Sequence, residues 1–336
     1  MPLFRPELFQ GARKRSSYFE GWYFKQVSAD TSEAWAFIPG VSMNADGSAR
    51  TAFIQAIDGS RGLTRWYPFA FEDFTWHPGR LEVSIGPNHF STQGISVHLD
   101  GPDGRLAAEL EYGPFSPFPS RPWQPGIMGP YSFVPFMECR HGLVSMDHTV
   151  AGWVEADGRR LSMDGGRGYV EKDWGSSMPS SWIWTQSNQF STPGDSLMFS
   201  LANIPWLGSH FPGFLCATRL SERGKPRQVR VWATWNGSRI DTLEADDNTV
   251  SLVVVRNDGR LSLDLTRHRG GLLLAPVAGA MERRIAESIN STMHVRLERG
   301  GELVYEDTAN KAGLETVGNL AELGLSTEMV KREKRI

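Results

Sequence analysis

Short stretches of alternating apolar and polar residues, separated by tight-turn signals, dominate the chain. Residues 51–57 and 105–112 are clear examples, because every second side chain of such a run lies on the same face of a β-strand. Further runs of this kind cover residues 81–85, 95–99, 143–154, 196–204, 229–235, 249–255, 261–266 and 293–297. Helical periodicity is weak and is confined to residues 281–289 and 314–334.

Asp-Gly dipeptides separate many of these runs and occur at residues 46–47, 58–59, 100–101, 103–104, 157–158, 164–165 and 258–259. Glycine adopts positive φ freely and aspartate does so better than most residues, so this dipeptide favours hairpin turns. Many short strands at hairpin spacing predict an all-β chain of antiparallel barrels or sandwiches with few short helices. The length of 336 residues favours two domains. We place them at residues 1–165 and 166–336.

Residues 113–135 interrupt the strand pattern with prolines at positions 114, 117, 119, 122, 125, 130 and 135. Proline cannot donate to a strand ladder, so this segment is not a central strand. Its aromatic residues include Phe115, Phe118 and Trp123. They predict a packed flap that covers part of the protein. An ordered surface loop with a small core of its own is the alternative.

The composition narrows the functional class further. Hydrophobic residues make up 40% of the chain and charged residues 22%, which is typical of a folded globular protein. The net charge is −3 and no segment carries a basic stripe, so nucleic acid is not an expected partner. The two cysteines, Cys139 and Cys216, lack metal-ligand spacing and fit a reducing compartment.

The expected location is cytoplasmic. No apolar run reaches the roughly 20 residues of a spanning helix. Residues 1–15 lack the apolar core of a secretory signal. A peripheral contact with a membrane surface and the oligomeric state both stay open.

Three stretches of the chain resemble the tocopherol cyclase family. They are YFEGWYFK at residues 18–25, GRGYVEKDWGSS at 166–177 continuing to WIWTQSN at 182–188, and AGLETVG at 312–318. The family is similar, more distantly, to carotenoid 1,2-hydratases, and the resemblance implies two lipocalin-like β-barrels packed together. Plant cyclases carry a plastid transit sequence, whereas few residues precede Tyr18 here. We therefore expect a bacterial or mature chain whose substrate need not be a tocopherol precursor.

The resemblance implies closure of a chromanol ring. A proton adds to a trisubstituted alkene, and a phenolic oxygen captures the tertiary cation; in a hydratase, water captures it instead. Both reactions need an acid kept neutral by burial. Both also need walls that tolerate positive charge, and aromatic faces provide these. The reaction requires no cofactor, and the sequence contains no metal-binding or phosphate-binding motif.

Asp173 is the expected proton donor. In an extended strand Tyr169, Glu171 and Asp173 share one face, as a proton relay requires, and Glu171 competes for the role of acid. The alternative is a turn in which Asp173 bonds its own backbone. His148, in the run 143–154, is a further catalytic candidate, since a hairpin over residues 156–165 would bring that run beside Asp173. A purely structural histidine is the alternative.

The expected substrate-binding residues form an aromatic-to-amide row. Trp182 and Trp184 lie two residues apart, and Gln186 and Asn188 continue the same face of a strand. Bulky rings followed by amides suit a ligand with a greasy tail and a polar head. The alternative is that the tryptophans face an ordinary core.

Glu20 is a second expected ligand contact, because it shares a strand face with Tyr18 and Trp22. A carboxylate flanked by rings lines the pocket in one interpretation and pairs with an arginine in the other. Trp22 and Trp174 complete the expected substrate-binding set.

The predicted function is thus cofactor-independent cyclisation of a prenylated quinol or related isoprenoid by a tocopherol-cyclase-like enzyme of the isomerase type. Two alternatives are a hydratase of an isoprenoid alkene and a non-catalytic, lipocalin-like carrier of a hydrophobic ligand. A third interpretation, carbohydrate binding, requires rings such as Trp123, Trp232 and Trp235 to lie on an open surface.

Overall fold

The chain folds into two antiparallel sheets. A computed structural model describes residues 2–135, 137–206, 208–257 and 259–324. Within these ranges nearly all regular structure is β-strand, so the all-β prediction is confirmed. In this described part, no helix is both long enough and apolar enough to pass through a membrane.

The first sheet has twelve strands, and its order is β4-β3-β2-β1-β12-β10-β9-β8-β7-β6-β5, with β11 paired to β10. The strands are β1 (Tyr18–Val27), β2 (Ala34–Met43), β3 (Arg50–Asp58), β4 (Leu63–Ala70), β5 (Phe74–Trp76), β6 (Glu82–Ile85), β7 (Asn88–Ser91), β8 (Gly94–Gly101), β9 (Gly104–Tyr112), β10 (Cys139–Ala156), β11 (Arg159–Ser162) and β12 (Gly166–Gly175). Asp157 and Gly158, with φ of 54° and 75°, form the predicted turn between β10 and β11.

The second sheet has ten strands in the order β16-β15-β14-β13-β22-β21-β19-β18-β17, with β20 paired to β21. The strands are β13 (Trp182–Ser187), β14 (Ser196–Trp206), β15 (Ser209–Leu220), β16 (Gln228–Ala233), β17 (Arg239–Ala245), β18 (Thr249–Arg256), β19 (Gly259–Thr266), β20 (Gly271–Val277), β21 (Ala280–Arg299) and β22 (Glu302–Val317).

The helix expected at residues 281–289 is corrected by the structure, and the one expected at 314–334 is corrected for residues 314–317. Residues 281–289 belong to β21, where pairing with neighbouring strands fixes an extended backbone. Residues 314–317 end β22, and residues 325–334 lie outside the described part of the chain. The described helices are short 3-10 turns at Pro2–Phe4, Gly11–Arg13, Phe71–Asp73, Gly129–Phe133, Thr234–Asn236 and Leu320–Leu323.

Chain contacts divide the described residues into two compact units. The first runs to Met178 and takes in Gly271–Ile285, and the second comprises Pro179–Gly270 and the chain from Ala286 onward. Gln55 fixes the returning segment within the first unit, because its side-chain amide bonds the backbone N–H and C=O of Leu274 at 2.9 and 3.0 Å. The predicted domains, 1–165 and 166–336, stay a prediction.

Each unit has its own hydrophobic core. In the first, strands from β1 to β12 contribute to one buried cluster that includes Trp22, Phe37 and Phe90. In the second, the cluster includes Ile183, Phe199 and Leu263. Burial on this scale is the main favourable term in folding.

The proline-rich segment 113–135 forms no strand, as predicted. Phe118 and Met128 are buried, and Phe115 stacks on the ring of His148 with centroids 4.5 Å apart. Trp123 and Phe133 are exposed by 64% and 53%. The segment therefore packs part of its aromatic surface against the first unit and leaves part in solvent.

A buried ion pair anchors β12 from the core side. Lys172 and Glu20 are both fully buried and form a salt bridge. The Lys172 ammonium also donates to the carbonyls of Pro6 and Leu8 and lies 4.8 Å from the ring centroids of Trp22 and Trp174. Burial lowers the pKa of Lys172, and the Glu20 carboxylate opposes that shift.

Glu20 also binds the N-terminal segment next to this ion pair. Its carboxylate accepts the backbone N–H groups of Gln10 and Gly11 at 2.9 Å and the Tyr18 hydroxyl at 2.5 Å. A buried charge is tolerated only when it is paired and hydrogen-bonded in this way. The pair therefore holds residues 6–11 across the end of the first core.

We predict that Lys172→Met destabilises the protein by about 3–5 kcal/mol, because it leaves the Glu20 carboxylate buried without its cation. Adding Glu20→Gln should recover most of that loss. Urea denaturation followed by tryptophan fluorescence measures both. Arg80→Met, which breaks the exposed pair with Glu82, is the matched control and should cost less than about 1 kcal/mol. Equal effects of the buried and exposed changes would contradict the anchoring role.

Candidate functional site

A histidine lies between two carboxylates on the face of the first sheet opposite Lys172. His141 of β10 is the register partner of Asp173 of β12, and Nδ1 is 2.8 Å from Asp173 Oδ1. His141 Nε2 is 3.4 Å from Glu171 Oε2. His141 and Glu171 are largely buried, whereas the Asp173 side chain keeps 29% of its surface exposed. Asp173 is therefore the member of this acid cluster that a ligand reaches most easily.

Tyr169 extends the cluster along β12. Its hydroxyl donates to Glu171 Oε2 at 2.5 Å, and its ring is fully buried. Tyr169, Glu171 and Asp173 thus point to the same side, as strand alternation predicts. Asp173 lies within β12, so the alternative turn conformation does not occur. Tyr169 bonds Glu171 directly, and His141 lies between Glu171 and Asp173.

Electrostatics favour the charged form of His141. Burial alone would lower its pKa, but the nearby carboxylates of Asp173 and Glu171 outweigh burial and raise the pKa well above its ordinary value. Burial raises the pKa of Tyr169 well above its usual range, and Glu171 adds to the shift. Burial likewise raises the pKa of the Cys139 thiol, whose sulfur lies 4.0 Å from Asp173. The cluster therefore contains a protonated imidazole, a neutral phenol and a neutral thiol.

His148 does not join this cluster. It is the register partner of Gly168, and its Nδ1 lies 3.0 Å from the Ser145 hydroxyl. Burial lowers the pKa of His148 to about 3, and the positive charge of Arg167 contributes. Gly168 makes room for the ring, since a Cβ there would lie 2.2 Å from His148 Nε2. The predicted pairing of the run 143–154 with the strand of Asp173 occurs, but its register places His148 opposite Gly168 and His141 opposite Asp173.

His141 is the residue that sequence reasoning missed. The Asp157–Gly158 turn carried a usable signal, since an antiparallel pairing centred on it places position 173 opposite position 142. His141 is next to that position. The register shifts at Leu143/Ser145 and Ser145/His148 set the final alignment. The sequence does not display such bulges.

The predicted aromatic row lies in the second unit. Trp182 and Trp184 are buried, and the Trp182 indole N–H donates to Glu315 Oε2 at 2.5 Å. Ile183, between them, belongs to the core cluster, whereas the two tryptophans do not. The row therefore occupies the face of β13 away from that core. Gly313 lies directly beneath the Trp184 ring, and a Cβ there would lie 2.5 Å from it.

The two amide residues of the predicted row, Gln186 and Asn188, lie at the end of β13 and just after it. Gln186 is a buried residue of the strand, paired with Gly313 of β22, and Asn188 is buried just beyond the strand end. Their assignment to a ligand stays a prediction.

Glu20, Trp22 and Trp174 are separate from the acid cluster. Glu20 pairs with Lys172 rather than with an arginine, and Trp22 is part of the first core. Trp174 lies over Lys172. Since neighbouring residues of β12 point to opposite faces, these groups lie on the side of the sheet away from Asp173.

The carbohydrate-binding interpretation is not supported by ring exposure. Trp123 is exposed, but Trp232 is only 2% exposed and belongs to the second core. Sugar stacking requires accessible ring faces, so these residues do not form the open platform that this interpretation requires.

The acid cluster also has the donor set of a metal site. One ligand atom from each of His141, Glu171 and Asp173 lies within 4.8 Å of the others. A metal ion bound through His141 would have to displace the proton from the ligating ring nitrogen.

The fold and site define the class of this protein. It is an all-β chain with two lipocalin-like antiparallel modules, and the first carries a buried histidine–dicarboxylate cluster. A family model described as tocopherol cyclase-like matches residues 89–203, which include this cluster. The match confirms the resemblance to the tocopherol cyclase family.

Individual proteins show the same resemblance. A rice protein described as "Probable tocopherol cyclase, chloroplastic" (Oryza sativa subsp. japonica) is 26% identical over 224 residues, 52% of this chain and 47% of the relative. The match thus spans about half of the relative's length. The crystal structure of CghA with Sch210972 superposes with a TM-score of 0.53 at 13% identity, over 90% of this chain and 89% of that one. Kievitone hydratase from Nectria haematococca gives 0.50 at 10% identity, over 93% and 94%. At such identities the two structures show a shared fold.

The two buried histidines should titrate in opposite directions. We expect His141 to remain doubly protonated at pH 8, because its pKa is raised, and His148 to remain neutral at pH 5, because its pKa is lowered. Ring-nitrogen chemical shifts from ¹⁵N NMR distinguish the two forms. Asp173→Asn should lower the pKa of His141 and leave His148 unchanged. A neutral His141 at pH 7 would contradict the proposed electrostatics.

Proposed function

We propose that this protein is a cofactor-independent enzyme that starts the cyclisation of a prenylated quinol or related isoprenoid by protonating an alkene. The observation that carries this proposal is the placement of His141 between Asp173 and Glu171, with Tyr169 bonded to Glu171. The similarity of residues 89–203 to the tocopherol cyclase-like family supports it. The reaction is an isomerisation, since the substrate and product have the same composition.

The acid cluster stores a proton by balancing charge. With His141 charged and both carboxyls ionised, it carries one net negative charge. One additional proton on a carboxyl group neutralises the cluster, whose three ligand atoms lie within 4.8 Å of one another. Asp173 is the proposed donor of this proton, because it is the most exposed of the three side chains.

The proposed reaction consists of proton transfer to the alkene, ring closure and return of a proton to Asp173. The Asp173 carboxyl transfers its proton to the alkene. The π electron pair of the alkene forms the new C–H bond, and the electron pair of the broken O–H bond stays on the carboxylate. The phenolic oxygen then forms a C–O bond with the tertiary cation. The phenol proton returns to the Asp173 carboxylate, which restores the starting state. His141 holds Asp173 in position and stabilises its ionised form during the step.

Two alternative functions, a hydratase and a carrier, are compatible with the same proposed ligand contacts. If water captures the cation, the protein is a hydratase. If no proton is transferred, it is a carrier of a hydrophobic ligand. Trp182, Trp184, Gln186 and Asn188 remain proposed ligand contacts, whereas Glu20, Trp22 and His148 are proposed to act through structure.

We predict that Asp173→Asn lowers turnover by about 10²–10⁴-fold, the usual contribution of a general acid. The assay is mass spectrometry of organic extracts after incubation with a panel of prenylated quinols. Wild type should give a product of unchanged mass and altered retention. Asp100→Asn changes an exposed carboxylate of the same unit and should retain full activity. A chelator should have no effect.

Three other outcomes of this assay would change the proposed acid or the proposed function. Wild-type turnover by a folded Asp173→Asn variant would eliminate Asp173 as the acid. A product heavier by one water would establish the hydratase. Ligands that co-purify with both proteins and are recovered unaltered would establish the carrier.

A further inference from the structure

A cleft of about 420 Å³ lies in the first unit, at the end of the sheet where the N-terminal segment crosses. This volume is within the range of small-molecule sites. Its walls come from the N-terminal segment, from β1 and β12, and from the chain just before and within β10. They include Leu3, Lys14, Tyr18, Met137, Arg140 and Trp174.

Positive charge dominates this cleft. Arg140 is half-buried and donates to the carbonyls of Val134 and Met137 at 2.7 and 3.4 Å. Within the described chain, no carboxylate lies within 4.0 Å of its guanidinium. Lys14 is exposed and places its ammonium 5.6 Å from the Tyr18 ring centroid. Of the described residues that line the cleft, none is aspartate or glutamate.

The buried carboxylate bonded to Tyr18 is already neutralised. Glu20 lies behind Tyr18, accepts its hydroxyl and is paired with Lys172. The Lys172 ammonium lies against the Trp174 ring that lines the cleft. A guanidinium without a counter-ion in a concave, partly desolvated place attracts an anion strongly.

The remaining walls combine an apolar part with the polar residues Gln10, Ser17 and Ser176. The rings of Tyr18 and Trp174 and the side chains of Leu3 and Met137 provide surface for a hydrophobic or aromatic body. A site with apolar walls and a few placed charges selects a ligand with the same division.

The cleft is distinct from the acid cluster. Arg140 and Trp174 are register partners, as are His141 and Asp173, and adjacent residues on a strand point to opposite faces. The two sites therefore lie on opposite faces of the same strand pair, and occupation of one does not require the other.

We propose that this cleft binds an amphipathic organic anion, whose carboxylate or phosphate pairs with Arg140 and Lys14 while its apolar body lies between Tyr18, Trp174 and Met137. The proposal concerns binding alone and does not rest on the proposed reaction.

Three probes with one common tail test it: geranic acid, geranyl monophosphate and geraniol, measured by isothermal titration calorimetry at low ionic strength. At least one of the two anions should bind no less than tenfold more tightly than geraniol, and added salt should weaken only the anions. Tight binding of geranic acid alone identifies a carboxylate site, and tight binding of the phosphate alone identifies a phosphate site.

Arg140→Gln should weaken anion binding at least tenfold and leave geraniol unchanged. Lys14→Gln should weaken it about threefold, and it provides the test if Arg140→Gln does not fold, because Lys14 is exposed. Arg105→Gln, at an exposed arginine of the same unit, should bind as wild type does. Equal affinity for all three probes, or anion binding unaffected by both cleft variants, would overturn the proposal.

Discussion

Strand β12 carries three consecutive charged residues into poorly solvated surroundings, and the rest of the first unit is arranged to partner them. Lys172 points toward the core and pairs with Glu20. Glu171 and Asp173 point the other way and share His141. An uncompensated charge at the fully buried Lys172–Glu20 position would cost several kcal/mol, so this side of the strand depends on the ion pair.

This constraint explains why the motif around Asp173 coincides with structural features that look unrelated in the sequence. Residues 6–11 of the N-terminal segment are fixed by Glu20 and Lys172. Gly168, in the same motif, leaves space for His148. The motif therefore encodes the anchoring of β12 as well as the acid cluster, and the two functions use opposite faces of one strand.

Much of the fold could be predicted from the sequence, because alternation and Asp-Gly turns are local signals. The all-β class, the shared face of Tyr169, Glu171 and Asp173, and the turn at Asp157–Gly158 are all local in this sense. His141 depended on long-range register, and Glu20 depended on a cation reached across the β1–β12 pair. Residues 281–289 were misread because weak helical periodicity was outweighed by pairing between distant strands.

The most direct test of the central claim is to run the proposed reaction in D₂O and locate the isotope in the product. If the acid cluster protonates the alkene, the product gains one non-exchangeable deuterium. The deuterium lies on the former alkene carbon that neighbours the carbon bonded to oxygen. The proton of the cluster exchanges with solvent between turnovers, so incorporation should be close to complete. A cyclised product without deuterium at that carbon would contradict the claim, because ring closure would then proceed without protonation of the alkene.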